Sequence, residues 1–302
     1  MQLIIRILGN IVFYTFLSGA LIVCAELVWY RIPVSFGRKK QKDSRRRIAL
    51  ITGASSGLGR EFVKLLEQEQ GIQEIWLIAR SKDKLSEMAQ KSGGRMRAVP
   101  LDLSVHENIQ KLGELLKAEQ VSVRYLVNNA GYGKFGAYSD LSAEQSRNMI
   151  DLNISGVVET GLVCLPSMHR GSRILNIASL ASTAPLPYLN IYAATKAFVR
   201  NYSRALNIEL KPRGISVTAV CPGWMDTGFI ANAQTGAKDS PTVFAAITKP
   251  DVVAAKALRD AKCGRELSVY GIFPKLTYAA AKLLPQQFIM RSWMMMQNMK
   301  SR

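Results

Sequence analysis

The sequence predicts an α/β fold: a doubly wound parallel sheet in a single domain, preceded by an N-terminal transmembrane helix. Three observations carry this. Short apolar runs alternate with stretches of helical spacing from residue 47 onward. The first run ends in a glycine-rich turn, Thr52-Gly53-Ala54-Ser55-Ser56-Gly57-Leu58-Gly59. Ahead of it, residues 7–25 carry no charge, and a basic stretch follows.

The uncharged run reads ILGNIVFYTFLSGALIVCA. A helix crossing the hydrocarbon core needs about 20 mostly apolar residues. Tyr14, Trp29 and Tyr30 suit the interfaces. The run exceeds the roughly 7–15 apolar residues of a secretory signal, and no small-x-small cleavage site precedes the basic stretch. Residues 38–47, RKKQKDSRRR, hold seven basic side chains and one acid. Basic residues near a spanning helix tend to stay cytoplasmic. The expectation is a single-pass membrane protein. Residues 1–34 are its transmembrane anchor and 35–47 a basic juxtamembrane linker, with the catalytic domain facing the cytoplasm. The linker suits anionic membrane lipid. It lacks interleaved aromatics, so no nucleic acid is expected as a partner.

Composition removes other classes. Of 302 residues, 48% are hydrophobic and 21% charged, which are globular values. The formal charge of +18 is uneven, because residues 1–47 hold 9 basic and 2 acidic side chains. His106 and His169 are the only histidines. Cys24, Cys164, Cys221 and Cys263 show no C-x-x-C spacing. Neither a metal site nor a disulfide framework is expected.

The elements follow in order. RIALIT (47–52) is the first strand, and Phe62, Leu65 and Leu66 give the next stretch its helical spacing. EIWLIAR (74–80) is the second strand, with a helix over 81–91, and RMRAVPLD (95–102) is the third. RYLVNNAG (124–131) is the fourth, followed by a long helix near 142–166. SRILNIAS (172–179), a helix near 190–211, GISVTAVCPG (214–223) and ELSVYG (266–271) complete the series. Apolar strands alternating with helices argue for a parallel sheet covered on both faces. This domain spans 48–273.

The glycine-rich turn sits between a strand and a helix, the context of a Rossmann-type dinucleotide site. Glycines let the backbone approach a pyrophosphate, and the helix N-terminus offers free N–H groups and a favourable dipole. The spacing is T-G-x-x-x-G-x-G. The second strand ends in Ala79-Arg80 rather than in the acid that binds an NAD ribose. A guanidinium there can clamp a 2′-phosphate, so the cofactor expected is NADP(H).

Tyr192 and Lys196 lie four residues apart, on one face of a helix. A free phenol has a pKa of about 10, and a nearby cation favours its ionised form. Tyr192 is therefore a candidate general acid and base.

Over about residues 46–230, the glycine turn, Asn128-Asn129-Ala130-Gly131, Asn153, Ser179, Tyr192-Ala193-Ala194-Thr195-Lys196 and Pro222-Gly223 with Thr227 resemble the short-chain dehydrogenase/reductase (SDR) family. Ser179 precedes Tyr192 by thirteen residues, as is usual there. The resemblance implies a catalytic tetrad of Asn153, Ser179, Tyr192 and Lys196. By the same resemblance Ser179 would steady a developing alkoxide, with Ser179 and Tyr192 as the substrate contacts. Asn153 would hold a water that relays protons to Lys196, and Lys196 would bind the nicotinamide ribose. Cofactor contacts are implied at Gly53, Ser55, Ser56, Gly57, Leu58 and Gly59 in the turn, and at Arg80. They are implied also at Asp102, on the adenine, and at Leu103, Asn129, Ala130 and Gly131. The set closes with Tyr192, Lys196, Pro222, Gly223 and Thr227. A homo-oligomer is admitted by the same analogy.

Apolar residues surround the expected pocket. Leu180 and Ala184-Pro185-Leu186-Pro187 follow the serine, and Trp224 and Phe229 open a region that in the family forms a mobile lid, here 226–250. The substrate expected is a small lipophilic carbonyl or secondary alcohol of 3-oxoacyl, steroid or retinoid type, which implies lipid metabolism. A non-catalytic NADP(H) sensor or scaffold is the alternative. Residues 274–302 form a C-terminal amphipathic segment, with Phe288, Ile289, Trp293, Met294 and Met296 on its apolar side. Lys275, Lys282, Arg291, Lys300 and Arg302 flank it, and Pro285 breaks or kinks it. The segment suits a membrane interface, a substrate entrance, or docking on the protein's own core or a partner subunit.

Overall fold

The computed structural model describes residues 44–236 and 239–299. The chain divides into two units, 1–35 and 36–302, and every described residue lies in the second. The expected transmembrane anchor and most of the linker therefore lie outside the described residues.

Seven strands build one sheet: β1 (Arg47–Thr52), β2 (Glu74–Ala79), β3 (Met96–Pro100), β4 (Ser122–Asn128), β5 (Arg173–Ile177), β6 (Ser216–Val220) and β7 (Leu267–Ser268). Their order is β3-β2-β1-β4-β5-β6-β7, and every pairing is parallel. This is the doubly wound, Rossmann-type α/β sheet that the sequence predicts. Successive side chains of a strand point to opposite faces. Accordingly Ala49 and Ile51 of β1 join one core cluster, and Ile48 and Leu50 join the other. Ile75 and Leu77 of β2 alternate with Trp76 and Ile78 in the same way. Both faces are covered, so these strands read as unbroken apolar runs.

The helices are α1 (Gly57–Glu67), α2 (Lys82–Lys91), α3 (His106–Ala118), α4 (Ala143–Ile150), α5 (Gly156–Cys164), α6 (Asn190–Leu210), α7 (Phe229–Gln234), α8 (Pro250–Lys262), α9 (Ile272–Leu283) and α10 (Gln286–Met296). Helix α3 fills the link between the third and fourth strands, where the motif reading names no element. Its signal is ordinary helical spacing: Ile109, Leu112 and Leu116 are buried against the sheet. The long helix near 142–166 is divided by a π-helical turn, Asp151–Ser155. The last strand is two residues rather than six. Pro285 stands at the N-cap of α10 and separates it from α9, as expected.

The chain leaves β1 in one direction to reach β3, then returns to β4 on the other side of β1. The carboxyl ends of β1 and β4 therefore flank a crevice, where ligands bind in open α/β sheets.

Candidate active site

Strands β1 and β4 are stitched together at this crevice. Thr52 Oγ1 accepts from the backbone N–H groups of Asn129 and Ala130, both at 2.9 Å. Asn129 Nδ2 donates to the carbonyl oxygens of Thr52 and Gly53, both at 3.1 Å. The turn leaves no room for side chains. Gly53 sits at φ +63°, and a Cβ there would stand 2.7 Å from Asn129 Nδ2. A Cβ on Gly59 would stand 2.2 Å from the Gly53 carbonyl oxygen. No side chain caps α1 at Ser56, and its first turn carries no acid. The first N–H groups of α1 thus remain for an anion. This cradle fits a dinucleotide pyrophosphate.

One cavity of about 1460 Å³ runs along the crevice. All the expected site residues except Gly59 and Asn153 line it. Gly59 acts from behind, by letting α1 pack against the turn. Asn153 is fully buried in the π-helical turn. Its Nδ2 donates to the Tyr132 carbonyl at 2.9 Å and to Thr195 Oγ1 at 3.1 Å, and its Oδ1 accepts from the Tyr132 N–H at 3.1 Å. Both amide protons are therefore committed, and one Oδ1 lone pair remains. In this geometry Asn153 holds the segment after Gly131 in place.

Arg80 and Asp102 lie at the ends of β2 and β3, on the cavity wall. Asp102 Oδ1 accepts from the Ser104 N–H at 3.0 Å and from Ser104 Oγ at 2.7 Å, so it also shapes the turn into α3. Lys84, in the first turn of α2, lines the cavity beside Arg80. The motif reading passes over it. The available signal is its place four residues after Arg80.

Ser179, Tyr192 and Lys196 meet at the other end. Ser179 follows β5, and its Oγ accepts from the Ala181 N–H at 3.1 Å, which leaves its proton for a partner in the cavity. Tyr192 and Lys196 stand in α6, both buried. Burial pushes the Tyr192 phenol up to about 12, against the downward pull of a hydrogen bond with Ser179. Burial pushes the Lys196 ammonium down to about 8. The sequence expectation was a phenol lowered by its neighbouring cation. Among protein groups alone desolvation wins, because Lys196 Nζ stands 5.9 Å from the Tyr192 ring centroid and donates to the Ile177 carbonyl at 2.8 Å.

Apolar side chains close the remaining wall. The Tyr192 ring packs on Phe229 at 5.4 Å between centroids, and Phe229 and Trp224 each pack edge-on against Phe135. The C-terminal segment adds Leu276, Leu284, Phe288, Trp293 and Met296 to this wall, with Phe273 just ahead of it. Its Pro274, Tyr278 and Trp293 are buried, so it docks on the protein's own core. Gln297 ties it to the stretch around Thr242 and Val243. Its Oε1 accepts from the Thr242 and Val243 N–H groups, both at 2.9 Å, and its Nε2 donates to the Val243 carbonyl at 3.0 Å. His106 pairs with Glu159 on the surface, and among the described residues no cluster suits a metal ion.

Comparison with known proteins agrees with this geometry. A family model for short chain dehydrogenases matches residues 47–238. An uncharacterized oxidoreductase of Staphylococcus epidermidis is 30% identical over 218 residues, which cover 69% of this chain and 94% of that protein. A short-chain dehydrogenase from Sphingobium yanoikuyae, solved in complex with NADPH, has 27% identity and a TM-score of 0.68, covering 80% of this chain and 95% of its own. An alcohol dehydrogenase from the archaeon Thermococcus sibiricus, complexed with 5-hydroxy-NADP, has 29% identity and a TM-score of 0.62, covering 74% and 95%. The sheet order, the glycine cradle and a match across most of the folded domain lead to one conclusion: the chain belongs to the short-chain dehydrogenase family and is an oxidoreductase of that type.

Proposed function

We propose that the protein interconverts a carbonyl and a secondary alcohol on a lipophilic substrate, using NADP(H), with Tyr192 as general acid and base. The observation that carries this reading is the meeting of Ser179, Tyr192 and Lys196 on one cavity, next to a largely apolar wall that includes Phe229, Trp224 and Trp293. A non-catalytic sensor has no use for that constellation.

Support for NADP(H) comes from Arg80, just after β2, and Lys84, in the first turn of α2, both on the cavity wall, with Ala79 rather than an acid ending β2. Two similar structures hold NADPH or an NADP derivative. The cradle of Gly53, Gly57 and the α1 N-terminus would hold the pyrophosphate, Asp102 the adenine, and Lys196 the ribose next to the nicotinamide. The reduced nicotinamide supplies a hydride when bound.

Ser179 Oγ donates a hydrogen bond to the substrate oxygen and steadies charge that builds on it. Tyr192 Oη gives its proton to that oxygen during reduction and takes one back during oxidation. Burial keeps the phenol protonated at neutral pH, the form that can donate to a carbonyl oxygen. Lys196, buried behind the ring, supplies the positive charge that compensates the phenolate left by proton transfer. Asn153 positions the segment over this pair and has one lone pair left for a relaying water.

We further propose that residues 1–34 anchor the enzyme in a membrane as a single-pass helix. The basic linker 35–47 would then keep the catalytic domain on the cytoplasmic side. Substrates that partition into the bilayer match the apolar cavity.

The test follows NADPH and NADH oxidation at 340 nm with the full chain in detergent. The panel holds 3-oxoacyl, steroid, retinoid and small aldehyde substrates, with Tyr192→Phe as control. Turnover with NADPH that disappears in Tyr192→Phe, with NADPH binding retained, supports the reading. Equal turnover in both proteins refutes it.

A further inference from the structure

We infer that the outer face of α9 and α10 is a docking surface for an anionic phospholipid bilayer. Helix α9 carries three distinct stripes. Pro274 and Tyr278 are buried in the domain. Phe273, Thr277, Ala280 and Leu284 line the cavity. The third stripe is Ile272, Leu276 and Leu283, spaced i, i+4 and i+11 along one side of the helix. These three are 79%, 64% and 61% exposed. On α10, Met295 is 77% exposed. Ile272, Leu283 and Met295 lie outside the lining of the substrate chamber and are exposed, so neither the core nor that chamber accounts for them. Large apolar side chains left exposed along one side of a helix in this way point to an interaction site.

Charge names the occupant. After Glu266 the chain carries no acidic residue, while Lys275, Lys282, Arg291, Lys300 and Arg302 are basic. Lys275 and Lys282 immediately precede Leu276 and Leu283, and all four are exposed. A second copy of the chain would meet this face with the same face, because a two-fold contact is self-complementary. That contact sets cations against cations with no acid from this segment to pair them. An anionic bilayer supplies both partners: acyl chains for the leucines and headgroup phosphates for the lysines. Helices with an apolar side and flanking cations lie in the interface plane in this way. Leu276 is both exposed and part of the cavity wall, so docking sets the chamber's mouth against the lipid. Only that last step rests on the proposed function. The surface itself is read without turnover.

The experiment uses the full chain with Cys24→Ser and Cys263→Ser, which leaves Cys164 and Cys221, both buried and unreactive. Single cysteines are placed by Leu283→Cys or Met295→Cys and labelled with the environment-sensitive fluorophore NBD. Lys211→Cys, just after α6 at the opposite end of the sheet from the cavity, is the control. The chains are reconstituted into phosphatidylglycerol/phosphatidylcholine vesicles containing doxyl-labelled lipid. Labels at 283 and 295 should be quenched at least about twofold more than at 211, and less in phosphatidylcholine alone, as expected for an apolar face ringed by cations. Equal quenching at all three sites overturns the inference. So does shielding of 283 and 295 in detergent before lipid is added, with the chain migrating as a dimer, since that gives the face to a second copy.

Discussion

The indole Nε1 of Trp293 donates to the carbonyl oxygen of Pro187 at 3.0 Å, joining the last helix to the loop that follows Ser179. Trp293 is buried in the same apolar cluster as Tyr192, Phe135 and Leu189. The contact therefore braces the apolar wall that Trp293 and Tyr192 share. Trp293→Phe keeps most of the apolar contact and removes the hydrogen bond. One such bond is worth about 1 kcal/mol, or roughly fivefold in an equilibrium. The expected result is a rise of about that size in KM for a bulky ketone, with little change in kcat. Steady-state kinetics with one bulky and one small carbonyl substrate checks this. A uniform loss of kcat for both would show that Trp293 does not act through the wall.

The cofactor end was readable from sequence because its chemistry is local. Gly53, Gly57 and Gly59 fall within one turn, and Tyr192 and Lys196 within one turn of helix, so short spacing suffices to place them. Contacts between distant segments leave no such trace. Trp293 reaches Pro187 across 106 positions, and Gln297 reaches Thr242 across 55. Asn153 was located from its motif, but its hold on Tyr132 depends on a π-helical turn that periodicity does not reveal. The phenol's direction of shift among protein groups alone is hidden from the sequence for a related reason. The i,i+4 spacing announces a cation, while the depth of burial appears only once α6 is packed.

The proposed NADP(H) preference rests on Arg80 and Lys84. Both are exposed side chains on the cavity wall, within reach of whatever group extends past the end of β2. A charge-assisted hydrogen bond contributes about 1.5–3 kcal/mol, which is roughly 10–100-fold in affinity. Replacing both by alanine should weaken NADPH binding by about that factor and leave NADH binding nearly unchanged. Fluorescence titration of the reduced cofactors is the measurement. Parallel losses for NADPH and NADH would mean that these cations support the fold and not the choice of cofactor.

Gly59 is the glycine whose replacement the cradle tolerates least. A Cβ there meets the Gly53 carbonyl oxygen at 2.2 Å, and that oxygen is backbone held by Asn129 Nδ2 at 3.1 Å. No rotamer relieves the clash, so the turn itself must move. Gly59→Ala should abolish NADPH binding at concentrations that saturate the wild type, and it should lower the melting temperature. Gly93→Ala is the contrast: its Cβ would meet nothing within 4 Å, although its φ of +62° still imposes local strain. Calorimetric titration and a thermal melt of both variants decide the matter. Retained NADPH affinity in Gly59→Ala would show that the cradle is not the pyrophosphate site.

Lys196 makes stability depend on pH in a direction opposite to that of a salt-bridged lysine. Burial lowers its pKa to about 8 in the folded protein, against an ordinary value of 10.5. Below pH 8 both states carry the proton, and the folded state bears the full cost of a buried charge. Between 8 and 10.5 the unfolded chain binds the proton and the folded chain has released it, so stability rises with pH through this window. Tyr192 has the reverse effect, but only above pH 10, where the unfolded phenol ionises and the buried one does not. The comparison therefore belongs between pH 7.5 and 9.5. Measured without cofactor, the wild type should gain about 2 kcal/mol over that interval relative to Lys196→Met, which has no charge to bury. Urea midpoints of both proteins at the two pH values give the difference directly. A wild type that gains nothing relative to Lys196→Met would mean that Lys196 keeps its proton in the folded site, held by more than the single Ile177 carbonyl.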